Sequence, residues 1–472
     1  MDKSNFDVVV IGAGPAGYVC AIRCAQLGLT VACVDAWSDK NKKPSPGGTC
    51  LNVGCIPSKA LLDSSHHYSF LVDHAADHGI ATGQCDIDVA KMLQRKNKIV
   101  KTLTTGVKGL LKKNKVTFVH GNAAIKSAKE VHVVNGDVDQ ILIAESIVIA
   151  TGSKPFELDF LPIDQKQIMD STGALELAQV PKHLGVIGAG VIGLEMASVW
   201  SRLGAKVTIW EAAEQFLPTV DKDIAKQAGK IISSQGIDIQ LNSKVQAAAK
   251  SKQSVSVAVL NAEGESQVEV DCLLVAIGRV ANTENLGLND LGIAQDSRGF
   301  IEVDARWKTS IDGIYAIGDV IGGAMLAHKG SEEGVALAEQ LVNQHGHVNY
   351  AAIPWVIYTW PEIAWVGETE QALQSDNVEY KTGSFPFMAL GRARAMSETE
   401  GMIKFIADAK TDRLLSVHII GPNASELIAE GVVAIESELT AEDLARTIHG
   451  HPTLSEGMHE AALDVDGRAI HF

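Results

Sequence analysis

Apolar residues along the chain fall into short runs divided by glycine turns and by stretches of helical period. One run, 8–10, leads into Gly12-Ala13-Gly14, then a helical pattern ending at Leu27-Gly28, then a second run closed by Asp35. The same order recurs from the run 184–186 through Gly188-Ala189-Gly190 and Leu203-Gly204 to Glu211. Residues 11–35 and 187–211 align without a gap and share nine identical residues, and in each copy the acid lies 23 residues after the first glycine. The pattern predicts strand, glycine turn, helix, strand and acid, twice over, and therefore an α/β chain with two Rossmann-like nucleotide-binding domains.

Each part of that unit has a physical task. The first glycine (Gly12, Gly188) permits the tight turn, the second (Gly14, Gly190) lets backbone approach a pyrophosphate, and the third (Gly17, Gly193) lets helix pack on strand. The helix N-terminus offers unpaired N–H groups to phosphate, and the terminal acid accepts hydrogen bonds from a ribose hydroxyl. Two such units predict two bound dinucleotides.

Three later apolar runs also end in glycine turns: 147–150 into Thr151-Gly152-Ser153, 272–277 into Gly278-Arg279, and 314–317 into Gly318-Asp319. Ligands of open α/β sheets gather at the carboxyl ends of strands, so these turns are candidate cofactor contacts. Asp319 has two readings, a hydroxyl-binding group or a turn cap. Residues 113–145 read as short strands, and 224–235 as a helix. After about residue 350 the texture changes. Residues 402–407 and 414–420 alternate about Lys410-Thr411-Asp412, a hairpin signature, and 425–438 form an amphipathic helix with Leu427, Ile428, Val432 and Ile435 on one face. This last segment, 351–472, carries no phosphate turn and reads as a separate α+β unit.

Composition narrows the class. With 472 residues, 41 Lys and Arg against 57 Asp and Glu, and a net charge of −16, the chain is long enough for about three or four domains and repels nucleic acid and anionic membranes. No apolar stretch without charge reaches the roughly 18 residues of a membrane span, and the first residues do not read as a signal peptide. Seven cysteines, odd and sparse, argue against a secreted disulfide framework and for a reducing compartment, the cytoplasm.

The stretch 47–59, GGTCLNVGCIPSK, carries the reactive groups. Pro57 reads as a first-turn helix residue, which puts Cys55 at or just before a helix N-terminus, where the dipole favours a thiolate. Lys59 shares a face with Cys55 and adds positive charge. Residues five apart in a regular helix are too distant for a disulfide, but Gly47, Gly48 and Gly54 suggest irregular backbone that closes the gap. Spacing alone leaves two readings open, separate thiols or a redox pair, and the neighbouring dinucleotide fold favours the pair. No second CxxC-type partner exists, so a metal site is not expected.

A second stretch, 449–456, reads HGHPTLSE. A thiol must lose its proton before attacking a disulfide, and a histidine held by a carboxylate is a suitable base. Pro452 restricts the backbone of His451. His449 reads as a structural residue.

On these motifs, together with GAGVIGLE (188–195), AIGD (316–319) and MLAHKGSEEG (325–334), the chain resembles the flavoprotein disulfide reductases, and within them the branch that oxidises dihydrolipoamide with NAD⁺. The resemblance runs from Phe6 to the C-terminus. It implies FAD on an N-terminal domain, 1–153, completed by 281–350, NAD on 154–280, and a homodimer interface on 351–472. It implies that Cys50 meets substrate, that Cys55 lies against the flavin, and that His451, oriented by Glu456, serves the partner subunit's site as base. Lys59 and Glu195 would pair beside the flavin. Besides Gly12, Gly14, Gly17 and Asp35, the resemblance implies FAD contacts at Ala123, Thr151, Gly152, Ser153, Asp319, Met325, Leu326, Ala327 and His328. Glu195, Glu211, Val245 and Gly278 would join Gly188, Gly190 and Gly193 at the NAD site. Partners would be lipoyl domains of a 2-oxo acid dehydrogenase complex or of the glycine cleavage system. Asp35 stands where the family usually has Glu, Gly450 where it has Ala, and Ala281 where it has Pro; none removes a reacting group.

Three rivals fit less well. Reductases of small disulfides that use NADPH place arginines after the second strand of the nucleotide fold, where this chain has Glu211-Ala212-Ala213-Glu214. Mercuric and large thioredoxin reductases need further redox groups near the C-terminus, and no cysteine follows Cys272. A non-catalytic flavoprotein subunit would have no use for Cys50, Cys55 and His451 together.

Overall fold

The computed structural model describes residues 2–136 and 138–472. Contacts divide the chain into two units, one of Met1–Ala60, Ala90–Glu157 and Gly278–Val348, the other of Leu61–Val89, Leu158–Ile277 and Asn349–Phe472. The class is mixed α/β, with one mixed and one parallel sheet, each holding a copy of the repeat, and a C-terminal α+β segment.

The first repeat is β1 (Asp2–Ile11), α1 (Pro15–Gln26) and β2 (Val31–Asp35), followed by α2 (Gly48–Val53), α3 (Cys55–Ser69, of which the first unit holds the part up to Ala60), α4 (Val89–Lys113, in the first unit from Ala90) and the strands β3 (Thr117–His120), β4 (Asn122–Ser127), β5 (Glu130–Asn135) and β6 (Val138–Ile149). The sheet order is β3-β2-β1-β6-β5-β4. Val9 stands opposite Ala32 on one side and Ile147 on the other, all fully buried, as a parallel strand covered on both faces requires. Strand β6 has two kinds of neighbour on its outer edge. Its first half pairs antiparallel with β5, while Ile147–Ile149 pairs parallel with Ile314–Ala316.

Helix α1 buries Cys20, Ala21 and Cys24 on one stripe, and the helix Ala327–Leu341 crosses it closely. The approach depends on absent side chains. A Cβ on Gly334 would lie 2.7 Å from the Ala16 carbonyl oxygen, and one on Gly330 3.1 Å from Ala16 Cβ.

In the second unit, the second repeat is β7 (His183–Ile187), α5 (Val191–Arg202) and β8 (Lys206–Trp210). These strands sit in a parallel sheet between Ile237–Gln240 and Cys272–Val275, with Ile168–Met169 at the edge. An antiparallel triplet, Lys244–Lys250, Val255–Asn261 and Gly264–Val270, follows. The expected helix near 224–235 is Lys222–Ser234. The expected hairpin is present, with Met402 opposite Ile420, inside a five-stranded antiparallel sheet. The helix Ala424–Glu436 packs on that sheet through Ile428 and Ile435 and turns Val433 outward.

A buried ionic cluster lies within this unit. The Lys404 ammonium, 3% exposed, reaches Asp221 at 3.0 Å, Asp223 at 2.7 Å and Glu370 at 2.6 Å. Burial works against its charge, but the three carboxylates outweigh burial and hold its pKa above the ordinary lysine value. Replacing it by Met leaves Asp221, itself fully buried, without its cation, so Lys404→Met should lose about 3 kcal/mol of stability. Denaturant unfolding checks this, and an unchanged midpoint would mean the cluster is energetically neutral.

Candidate functional site

The two glycine turns are alike down to single hydrogen bonds. Gly12 and Gly188 hold φ of +107° and +100°, and a Cβ there would strike the Ala150 or Ala276 carbonyl oxygen at 2.2 or 2.5 Å. The third glycines bring helix onto strand, since a Cβ on Gly17 or Gly193 would overlap the oxygen of Gly12 or Gly188. Gly14 and Gly190 are the N-caps of α1 and α5, and neither helix start carries a side-chain cap. Among the described residues, chain neighbours apart, nothing lies within 4 Å of a Cβ built on Gly190, and near one on Gly14 the sole such atom is Gly48 Cα, at 3.8 Å. Both turns therefore present uncapped N–H groups beside open space, the donor set a pyrophosphate needs.

The terminal acids fold back onto their own turns. Asp35 accepts from the N–H groups of Ala13 and Trp37, each at 2.6 Å; Glu211 accepts from those of Ala189 and Ala213, each at 2.8 Å. Burial raises the Asp35 pKa, against the opposing pull of those N–H groups. The carboxylates thus stiffen the two glycine turns.

The cysteine loop is built directly on the first of these turns. Gly47 N–H donates to the Ala13 carbonyl at 2.7 Å, and a Cβ on Gly48 would meet Gly14 Cα at 2.6 Å. Asn52 ties the loop internally, donating to the carbonyls of Ser45 and Gly48 and accepting from Ser45 Oγ. Helix α2 stops at Val53, and α3 starts at Cys55. Between them Gly54 folds the chain so tightly that a Cβ would lie 3.2 Å from Cys50 Cα. The break that five-residue spacing demanded is therefore real, and it places the two thiols in hydrogen-bonding contact.

Cys50, half-buried, has its pKa raised by the hydrogen bond with Cys55 and by burial, while the Lys59 ammonium pulls it down. Cys55 sits at the positive end of α3. Tyr18 on α1 packs in the same cluster as Cys50, and its own pKa is raised by burial and by the neighbouring sulfur.

The turns at 151–153 and 318–319 also converge. Ser153 Oγ donates to Asp319 at 2.5 Å and accepts from Arg279 Nε at 2.7 Å; Thr151 Oγ1 donates to the Asn282 carbonyl at 2.7 Å. Asp319 is thus held by a side chain from another strand end. A buried pair supports its turn. Lys329 lies 2.9 Å from Glu333 and donates to the carbonyls of Gly318 and Gly322, and Glu333 accepts from Gly318 N–H. Lys329 and Glu333 were not singled out as site residues. Their only signal is an i, i+4 charge pair in a segment otherwise rich in small residues.

The remaining residues lie as follows. Leu326 is the N-cap of the helix that Ala327 and His328 begin, and Met325 and Ala123 pack against the first unit's core. Gly278 holds φ of +125°, and its carbonyl accepts from Phe156 N–H. In the second unit Val245 is buried at an irregularity of its strand, and Glu195, 3% exposed on α5, accepts from Tyr358 N–H.

His451 and Glu456 are joined, with Nδ1 2.8 Å from Oε1. Glu456 opens the helix Glu456–Asp464 and also accepts from Thr453 N–H at 2.9 Å. Burial works against its carboxylate, but the hydrogen bonds from His451 and Thr453 prevail and lower its pKa. The imidazole is 79% exposed, so its second nitrogen faces outward. His449, by contrast, is enclosed, 2.7 Å from Glu430 and 2.9 Å from the Thr447 carbonyl. The hydrogen bond to Glu430 raises its pKa, against the opposing effect of burial. Among the described residues no helix is long and apolar enough to cross a membrane.

Comparison with known proteins completes the description. Residues 6–334 match the family model for pyridine nucleotide-disulphide oxidoreductase, and 353–462 match that family's dimerisation domain. The chain is 51% identical to a dihydrolipoyl dehydrogenase of Cupriavidus necator, covering 100% of both chains. It is 47% identical to the mitochondrial dihydrolipoyl dehydrogenase 2 of Arabidopsis thaliana, over 99% of this chain and 91% of that one. Among solved structures it is similar to an HOCl-induced flavoprotein disulfide reductase of Escherichia coli, with a TM-score of 0.85 and 30% identity over 97% of this chain and 99% of the other. It is also similar to LpdA of Mycobacterium tuberculosis, with a TM-score of 0.89 and 25% identity over 98% and 99%.

Proposed function

The chain belongs to the pyridine nucleotide-disulphide oxidoreductase family, and from that premise we propose that it oxidises dihydrolipoamide to lipoamide and reduces NAD⁺, using FAD and the Cys50–Cys55 pair. One observation carries the reading: two thiols in contact, at a helix start, on a loop hydrogen-bonded to an uncapped glycine turn. A redox pair has no reason to sit on a phosphate turn unless its electrons pass to the nucleotide bound there. The names of its relatives support the same substrate.

We assign FAD to the first turn, with Gly12, Gly14, Gly17, Asp35, Thr151–Ser153 and Asp319, and NAD to the second, with Gly188, Gly190, Gly193 and Glu211. The FAD domain is 1–153 with 281–350, the NAD domain 154–280, and the interface 351–472. When bound, FAD relays two electrons from the thiol pair to NAD⁺.

The chain's own part is proton and sulfur chemistry. His451, its Nδ1 held by Glu456, takes the proton of a substrate thiol at the outward nitrogen. The thiolate attacks Cys50 of a Cys50–Cys55 disulfide and expels Cys55 as thiolate, stabilised by the α3 dipole and Lys59. The second substrate thiol then attacks the mixed disulfide, releases lipoamide, and leaves Cys50 protonated and hydrogen-bonded to Cys55. The enzyme is proposed to act as a cytoplasmic homodimer serving lipoyl domains of a 2-oxo acid complex or of the glycine cleavage system.

Steady-state oxidation of dihydrolipoamide tests the substrate, and turnover of glutathione disulfide in its place would overturn it. Coenzyme choice is a separate expectation. Glu211 would face the 2′-phosphate of NADP⁺, so kcat/KM should favour NAD⁺ by about 100-fold. Comparable values would remove Glu211 from that position.

A further inference from the structure

One feature of the first unit is unused by this chemistry. Helix α4 and the two residues after it, 89–115, carry nine Lys and Arg and no acid, leaving 32 basic against 57 acidic residues on the rest of the chain. The helix buries Val89, Met92, Val107 and Leu111 along one stripe. Lys98, Lys101, Lys108 and Lys112 are exposed and fall within an arc of roughly 80° opposite it, at about 100° per residue. The helix is also fixed to the redox centre. Arg95 Nη1 donates to the carbonyl of Ala60 at 2.9 Å, and Ala60 lies on α3 five residues after Cys55, about 8 Å along the axis at 1.5 Å per residue.

We propose that the outer face of α4 is the docking surface for an acidic protein domain that carries the dithiol substrate. The proposal rests on the function proposed above and adds how the carrier is held. A solvated helix face needs no such one-sidedness, for exposed helices usually mix charges of both signs at i, i+4. The strongly acidic remainder of the chain repels an extended polyanion such as nucleic acid or a membrane, yet leaves a compact acidic domain free to meet one basic face. Opposite charge there raises the encounter rate and sets orientation, and salt screens both.

The test compares holoenzyme with the variant Lys98→Gln/Lys101→Gln/Lys108→Gln/Lys112→Gln, none of which touches the thiol pair or the nucleotide turns. Free dihydrolipoamide should be oxidised with unchanged kcat/KM. With an acidic lipoyl domain as substrate, kcat/KM at low ionic strength should fall about tenfold, and its salt dependence should flatten. Retained salt dependence in the variant, or none in the parent, overturns the docking surface while leaving the activity standing. Failure of the parent on free dihydrolipoamide overturns the function instead. Direct titration is the second measurement. If the parent binds a short DNA duplex or anionic vesicles more tightly than the lipoyl domain, and the variant loses that binding, the face belongs to another partner and the proposal fails.

Discussion

Cys55→Ser should abolish dihydrolipoamide oxidation, lowering kcat by at least 10³-fold, equivalent to about 4 kcal/mol of barrier. A serine hydroxyl neither forms the intramolecular disulfide nor leaves as a stabilised anion at neutral pH. The substitution is small and the site half-buried, so the fold and bound FAD should persist, while long-wavelength thiolate–flavin absorbance vanishes. A second readout needs no turnover. The Cys50 pKa is raised chiefly by its bond to Cys55, so in the variant it should move down toward the ordinary thiol range. The pH dependence of Cys50 alkylation reports that shift. Normal lipoamide turnover by Cys55→Ser would show that the pair is merely structural.

Mixing two inactive variants should restore activity. The proposed site draws Cys50 from one subunit and His451 from its partner, so Cys50→Ala and His451→Gln homodimers should each be dead. After reversible dissociation, random reassociation of a two-fold dimer makes about half the molecules mixed. Each mixed dimer pairs intact Cys50 of one chain with intact His451 of the other in one of its two sites. About a quarter of wild-type activity should therefore return. If a site instead took both residues from one chain, every site would carry a lesion. No recovery, with subunit exchange confirmed by mass spectrometry of tagged chains, would refute the shared site.

How much of this was legible in the sequence depended on whether the signal was local. The glycine turns could be read because φ near +100° and the absence of a Cβ are demands on single positions. The two acids could be placed because strand and helix lengths fix their distance from the turn. The break between α2 and α3 was legible for the same reason, since Gly54 and Pro57 are local punctuation. What stayed hidden was set by tertiary contact. Asp319, taken alone, reads better as a turn cap, and the bond it accepts from Ser153 spans 166 residues that no local pattern connects. The Lys329–Glu333 pair has an i, i+4 spacing that exposed helix pairs also show, and only the turn at 318–322, whose carbonyls accept from Lys329, marks it as buried. Lys404 alternates with apolar residues as any strand lysine does, and its carboxylates come from elsewhere in the fold, Asp221 and Asp223 at the start of helix Lys222–Ser234 and Glu370 on another helix. Likewise, nothing in residues 8–35 signals that the carboxylate of Asp35 turns back to Ala13.

The divided outer edge of β6 bears on how the chain folds as it leaves the ribosome. Strands β1 to β6 are complete once residue 149 has emerged, yet the neighbour of Ile147–Ile149 is Ile314–Ala316, 165 residues later. The helix that closes over α1 follows later still, at Ala327–Leu341. At about 5–20 residues per second, the carboxyl end of β6, paired with β1 on one side, waits roughly ten to thirty seconds with its outer edge unpaired. For that interval the nascent domain exposes a short apolar strand edge, open to premature pairing with other chains. Vectorial synthesis thus makes the sheet that starts first the one that finishes late.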